Sequence, residues 1–399
     1  MKKLLFTLLF VPYSLFCVAQ IDMQAHVGSD EGLAAYSSAD KQAAYYTGAY
    51  AYDNLIVQEG NDLFGLLNTL MGNTSRIGGS NFSYNSLRDA YIKVDVDLNN
   101  KGSMIIGYYD GRSMNGKWDS GKTWNREHTW PQSKGADKST PMGHDMQSVR
   151  PTWVKSNSER GNTAYGESGN YYDPDEVTIV NSYYKKTNLG SYRGDAARVI
   201  AYDYVVYGEA GGHKNSLYKG NAQLLSKVGS SGVFESIDVL LKWHMADPPS
   251  LTEAVRNDGA ADYQGNRNPF IDYPELAIQM FKNSVSTYVV DANMAEMMWP
   301  NYQLTLQHGF IAYVTSEDGS HPERVAVTGA SSRYDAATGR LTISNVTDNV
   351  TISTDTPAPE GIEDVYDVTV PEFKKVFYNG QLYIIRDGVW YDVTGRRVD

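Results

Sequence analysis

The only cysteine in 399 residues, Cys17, lies inside an N-terminal apolar run. That run, "MKKLLFTLLFVPYSLFCVAQ", opens with Lys2 and Lys3 and reaches a small residue at Ala19, the layout of a secretory leader. It is too short and too interrupted for a good membrane span. A lipid anchor at Cys17 fits poorly, because bulky Phe16 stands where such sites want a small residue. Cleavage near Ala19 leaves an exported chain with no thiol. No disulfide then braces the fold, and no thiolate can act as nucleophile or metal ligand. The material for a buried core is present, since 41% of residues are hydrophobic and only 21% charged.

The formal charge of −12 argues against a simple phosphate-binding protein, but its distribution matters more. From Lys122 to Asn162 seven Lys or Arg face four acids, whereas from Phe310 onward eight bases face fourteen acids. A locally basic island in an acidic chain can hold an anion.

Helical spacing of apolar residues predicts a helix at Asp62–Met71, while Arg193–Tyr207 and Ser236–Pro249 read as core helices and Tyr84–Tyr91 as a shorter candidate. "SMIIGYYDG" (Ser103–Gly111) reads as a strand ending in a glycine turn. Pro151 suits the first turn of a helix that would end at Gly161, with Trp153, Asn157 and Arg160 on one face. Gln264–Phe281 is a turn-rich loop feeding another helix. After about Pro300, short strand-like runs are separated by Gly, Asp and Asn turns, and Thr356–Gly361 reads as a linker. The fold class expected is α+β, mainly helical and then all-β. There is no P-loop, no dinucleotide glycine fingerprint, no His-Glu-x-x-His and no Gly-x-Ser-x-Gly.

The stretch "WNREHTWPQ" (Trp124–Gln132) sets Glu127 beside His128. Histidine is the side chain best poised to take a proton near neutral pH. Glu and Asn are hard oxygen donors for Mg²⁺, which keeps several waters and takes only one or two protein ligands. His128, Glu127 and the helix-borne Asn157, with Arg126, Arg150 or Arg160 as phosphate forks, form a kit for phosphodiester hydrolysis. Each residue alone has a plainer reading: His128 as a structural histidine, Asn157 as a helix-surface residue, Arg160 as a solvated helix end. His144 with Asp145 is a weaker metal pair, and His244 reads as a core histidine. Neighbours on a strand point to opposite faces, so Glu127 and His128 share a site only if the strand ends or bends there.

Together, "WNREHTWPQS", "RPTWVKSNSERGNTAYGE" and the distant "QGNRNPFIDYPE" resemble the bacterial endonuclease I family, within the ββα-metal (His-Me finger) nucleases. The resemblance covers roughly residues 40–285. It implies a ββα-metal core with His128 as general base, Glu127 and Asn157 as metal ligands and Arg150 as the phosphate contact. The implied activity is Mg²⁺-dependent, largely sequence-nonspecific endonucleolysis of DNA, and of RNA as a further candidate, leaving 5′-phosphates. Mn²⁺ or Ca²⁺ are candidate substitutes. No organic cofactor, no membrane span, a secreted location and a monomer are expected. Gln147 stands where many relatives carry histidine. The expected division is 1–19 signal peptide, 20–300 nuclease domain, 301–358 β-rich module and 359–399 C-terminal β tail. That tail resembles β-modules that direct type IX secretion. The competing expectation is a catalytically inactive secreted binding or adhesion protein on a nuclease scaffold.

Overall fold

The computed structural model describes residues 39–72, 83–98, 100, 102–167, 186–187, 190–210, 213–214, 232–292, 297–316 and 319–354. In the C-terminal part it describes only the strand residues 373–378, 381–386, 389–392 and 397–398. The leader at 1–19 and the linker at 356–361 lie outside them. The chain divides into two units, Met1–Asp355 and Thr356–Asp399.

The first unit is α+β with a largely helical core. Its central element is the helix Arg193–Tyr207, buried on nearly every side. All of it but Arg193 and Tyr204 is buried, including the charged Asp195, Arg198 and Asp203, with Arg198 held by both oxygens of Glu253, and it packs against Gly60–Gly72 and Ile237–Ala246. The next helix, Leu251–Gln264, starts with a capping box: the Ser250 hydroxyl accepts from the Glu253 backbone N–H, and the Glu253 carboxylate accepts from the Ser250 N–H. It ends at Gly265, whose φ of 91° is a left-handed cap that favours glycine. Asn268 then caps the short helix Pro269–Asp272, with proline in its first turn.

Against Leu251–Gln264 packs the helix Leu87–Val94, and a small core forms between them and the central hairpin. That hairpin pairs Trp124–His128 with Val149–Trp153, antiparallel, in the register Glu127 to Arg150 and His128 to Val149. Trp124 anchors it: the side chain is fully buried against the Tyr91 and Trp118 rings, and its indole N–H donates to the Asn115 carbonyl at 2.9 Å. Truncating such a residue costs about 3–5 kcal/mol. The helix Val154–Arg160 follows the second strand without a break, giving strand, strand, helix. Pro151 therefore lies in the strand and not in the helix. A two-stranded ladder has outer edges where a missing N–H is tolerated, and the Pro151 carbonyl still accepts from the Tyr108 N–H at 3.0 Å.

Strands resume at Tyr288 and form two four-stranded sheets. One is wholly antiparallel: Met297–Trp299, Ile311–Thr315, Arg340–Ser344 and Ser331–Asp335. The other contains one parallel pair, Val350–Ser353 beside Tyr288–Ala292. Their inward residues Val290, Val314, Leu341 and Ile352 join the same core cluster as Leu276 and Phe281 of the last helix. The second unit, taken by itself, is a four-stranded antiparallel sheet in sequence order, Phe373–Tyr378, Gln381–Arg386, Val389–Asp392 and Arg397–Val398.

Candidate active site

The hairpin and its helix wall an open cleft of about 490 Å³ lined by Tyr84, Asn125–His128, Pro131–Ser133, Asn157 and Arg160–Asn162. Glu127 and His128 both reach it although they are consecutive. The physical reason is that the ladder ends at His128, where the strand turns into the polar loop.

Glu127 is buried, and both of its hydrogen bonds fall on Oε1. Tyr109 donates at 2.7 Å and Arg160 Nη1 at 3.0 Å. Among the described residues Oε2 is left without a protein partner. Burial pushes the carboxyl pKa up, opposed by the Arg160 charge and the Tyr109 hydrogen bond. A cation at Oε2 would relieve that penalty. Asn157 stands on the helix with its amide nitrogen donating to Asn125 Oδ1 at 2.5 Å, which turns its own Oδ1 away from that contact. The donor set in the cleft is thus one carboxylate oxygen and one amide oxygen, hard ligands that suit Mg²⁺. Among the described residues no group of three or more His, Cys, Asp or Glu could hold a metal. A lightly liganded ion is the kind these two residues fit.

His128 is buried, and burial drops its pKa to about 4, with the Ala136 backbone opposing the shift. The ring is therefore neutral at pH 7 and able to accept a proton. Nε2 lies 3.3 Å from the Tyr84 hydroxyl, and Nδ1 is buried without a hydrogen bond of normal geometry.

Arg160 staples helix to strand. Besides Glu127, its Nη1 donates to the His128 carbonyl at 3.0 Å and its Nη2 to the Thr129 carbonyl at 2.9 Å, while the guanidinium lies 4.7 Å over the Tyr165 ring. One buried side chain thereby fixes Asn157's helix against the strand that carries Glu127 and His128. The structure does not bring Arg150 into the cleft. Its guanidinium runs to Asp95, with Nε 3.4 Å from Oδ1, and over the Tyr108 ring at 4.5 Å. Arg126 and Arg160 are the arginines that line the cleft. Asp145 is also elsewhere: it is buried and accepts from Tyr202, Tyr207 and Gln264. Gln147 donates to Asn257 in the core at 2.8 Å, and His244 is buried with Nε2 2.7 Å from the Pro274 carbonyl.

The hairpin and helix thus set histidine, carboxylate and helix asparagine around one cleft, and comparison with known proteins matches the chain to a family. Residues 64–275 match the endonuclease I family, more than half of the chain. The chain belongs to the endonuclease I family. It is 33% identical over 217 residues to an extracellular ribonuclease of Bacillus amyloliquefaciens, spanning 51% of this chain and 70% of that protein. It is 34% identical over 217 residues to an extracellular ribonuclease of Bacillus subtilis (strain 168), with the same coverage. The family assignment makes the chain a nuclease, an enzyme that hydrolyses nucleic acids. The third family-like stretch, Gln264–Glu275, contributes nothing to the cleft. Arg267 there pairs with Asp258 at 2.7 Å and with both oxygens of Asp272, while Asn266 donates to the Met71 carbonyl and to Tyr202. Its role is to clamp the helices together.

Tyr84, Tyr109 and Tyr165 are site residues that the sequence reading passed over. The hydroxyls of Tyr109 and Tyr165 lie 2.5 Å apart behind Glu127. Tyrosine is too common in this chain, at 30 residues, for any one of them to stand out.

Proposed function

We propose that the protein is a secreted, Mg²⁺-dependent and largely sequence-nonspecific endonuclease acting on RNA and DNA, with one metal ion and with His128 as general base. The observation that carries this reading is the convergence of His128, Glu127 and Asn157 on one cleft. The names of the two relatives weigh toward RNA as a substrate and toward an extracellular location.

Neutral His128 takes a proton from the attacking water at Nε2, the water replacing the Tyr84 hydroxyl that lies 3.3 Å from that nitrogen. Glu127 Oε2 and Asn157 Oδ1 would hold the ion. When bound, it supplies charge stabilisation at the scissile phosphate and at the leaving 3′ oxygen, so that the product strand carries a 5′-phosphate. Tyr109 and Arg160 keep Glu127 facing the cleft by occupying Oε1. Arg126 is the cleft cation best placed to meet a phosphate. The proposed role of Arg150 is to support its strand through Asp95. The proposed division keeps a leader at 1–19, a nuclease domain at 20–300, a β-rich module at 301–358 and a tail at 359–399 that serves sorting or surface attachment. Among the described residues no helix is long and apolar enough to cross a membrane.

The test is cleavage of supercoiled plasmid and of a folded RNA by the full mature chain, with Mg²⁺ and with EDTA. Metal-dependent cleavage yielding 5′-phosphate ends is expected. No cleavage with metal, or equal cleavage in EDTA, overturns the reading.

A further inference from the structure

Beside the cleft, rings and cations alternate in a short series leading away from His128. The His128 ring lies 5.4 Å from the Tyr84 ring. The Arg126 guanidinium sits 3.6 Å over Tyr84 and 5.2 Å from the Trp118 ring. Arg88 lies 5.4 Å from the same Trp118 ring. Tyr84 and Arg126 line the cleft, whereas Trp118 and Arg88 do not, so the series runs outward from the general base.

Neither arginine forms an ion pair among the described residues. Their hydrogen bonds go to neutral acceptors: Arg126 Nη1 to the Tyr84 carbonyl and to Asn85 Oδ1, and Arg88 Nε to the Asn85 carbonyl. Arg126 Nε is buried with no acceptor among the described residues. Burial above all lowers the proton affinity of Arg126, and the neighbouring Arg88 charge adds to that. Two guanidiniums held near each other, with donors unfilled and no carboxylate between them, favour an anion. The rings hold both cations by cation–π contact without neutralising them. An endonuclease substrate is a chain of phosphates, so a strand seated at His128 offers further anions along its length.

We propose that Arg126 and Arg88 form a phosphate-binding subsite for the substrate strand, next to the scissile phosphate. Trp118 and Tyr84 serve as the shelves that hold the two guanidiniums. The ligand class is the phosphodiester backbone of a nucleic-acid strand longer than the two nucleotides flanking the cut. This subsite rests on the nuclease reading of the cleft.

The test is fluorescence anisotropy with a labelled single-stranded RNA oligonucleotide and full-length protein in a non-cleaving His128→Ala background, over a range of salt. For a single strand, each neutralised phosphate contributes about 0.7 to the slope of log affinity against log salt. Adding Arg88→Gln should lower that slope by about 0.7 and weaken binding several-fold. Adding Arg126→Lys as well, which keeps a charge but loses the planar fork, should weaken binding further. Adding Arg333→Gln instead, which removes one exposed charge from the β sheets, should leave slope and affinity unchanged. An unaltered slope with Arg88→Gln, in a protein that keeps its thermal midpoint, overturns the subsite. So does an equal loss with Arg333→Gln, because net charge would then explain the effect. Wild-type cleavage of the same RNA with Mg²⁺ separates the two claims: if it persists while the slope is unaltered, only the subsite fails.

Discussion

The Gln264–Glu275 loop and the hairpin–helix cleft both bury polar side chains, but they finish them differently. In the loop, Gln264, Asn266, Arg267, Asn268 and Asp272 are buried with their buried side-chain polar atoms partnered, and only Oε2 of Glu275, at its end, is not. At the cleft, Glu127 keeps both hydrogen bonds on Oε1 and leaves Oε2 without a partner among the described residues. A satisfied network stabilises and specifies a fold, whereas polar atoms left open in a cleft are the groups free to meet a substrate or an ion. The difference separates two stretches that look equally distinctive in the sequence.

Breaking the cleft should give the largest effect on activity with little on stability. His128→Ala should reduce cleavage about 10²–10⁴-fold, the range for a positioned general base, with thermal unfolding close to wild type. Breaking the loop should do the reverse. Arg267→Ala strands Asp258 and Asp272 as buried carboxylates and should cost about 3–5 kcal/mol, read by denaturant unfolding.

A smaller effect lies between the two regions. Tyr109→Phe removes one of the two hydrogen bonds on Glu127 Oε1 without touching the cleft surface. By analogy with groups that orient metal ligands, it should raise the Mg²⁺ concentration for half-maximal cleavage about tenfold while leaving the rate at saturating metal closer to wild type. A rate loss that excess metal fails to reduce would remove Tyr109 from a positioning role.

A last effect, spread over several pH units, concerns the core. Burial drops the pKa of His244 to about 3, from an ordinary value of 6.5. The unfolded chain therefore takes up a proton there that the folded chain refuses. This histidine's contribution is fully present above pH 6.5 and is lost as pH falls from 6.5 toward 3, by at most about 1.4 kcal/mol per pH unit. His244→Gln, which retains a donor for the Pro274 carbonyl, should flatten unfolding free energy against pH across that window relative to wild type. Parallel curves would contradict the assignment.

Much of the helical core was legible: apolar residues at helical spacing mark Gly60–Gly72 directly, and Arg193–Tyr207 reads as a core helix. The β-sheets were legible as strands but not as an arrangement. The parallel pairing of Val350–Ser353 with Tyr288–Ala292 joins segments some sixty positions apart, and no local pattern encodes it. At the cleft, Glu127, His128 and Asn157 suit phosphodiester hydrolysis as a set, though each alone has a plainer reading, and the resemblance of the motifs that carry them is what singled them out. Arg150 was singled out by that resemblance, since its chemistry is shared with Arg126 and Arg160, and the structure sends it to Asp95, a partner 55 positions upstream. Tyr109 was illegible for the converse reason: a common residue acquires its role only through a contact made in three dimensions. Pro151 looked like a helix start because its missing N–H suits that place, but a ladder edge tolerates the same deficiency.

The most direct test of the central claim is Mn²⁺ binding, followed by electron paramagnetic resonance, in the wild type, Glu127→Gln and Asn157→Ala, with cleavage measured on the same samples. The account predicts that each substitution weakens binding and lowers cleavage together, since both oxygens would hold one ion. Wild-type metal affinity in either folded variant, with cleavage lost, would contradict it.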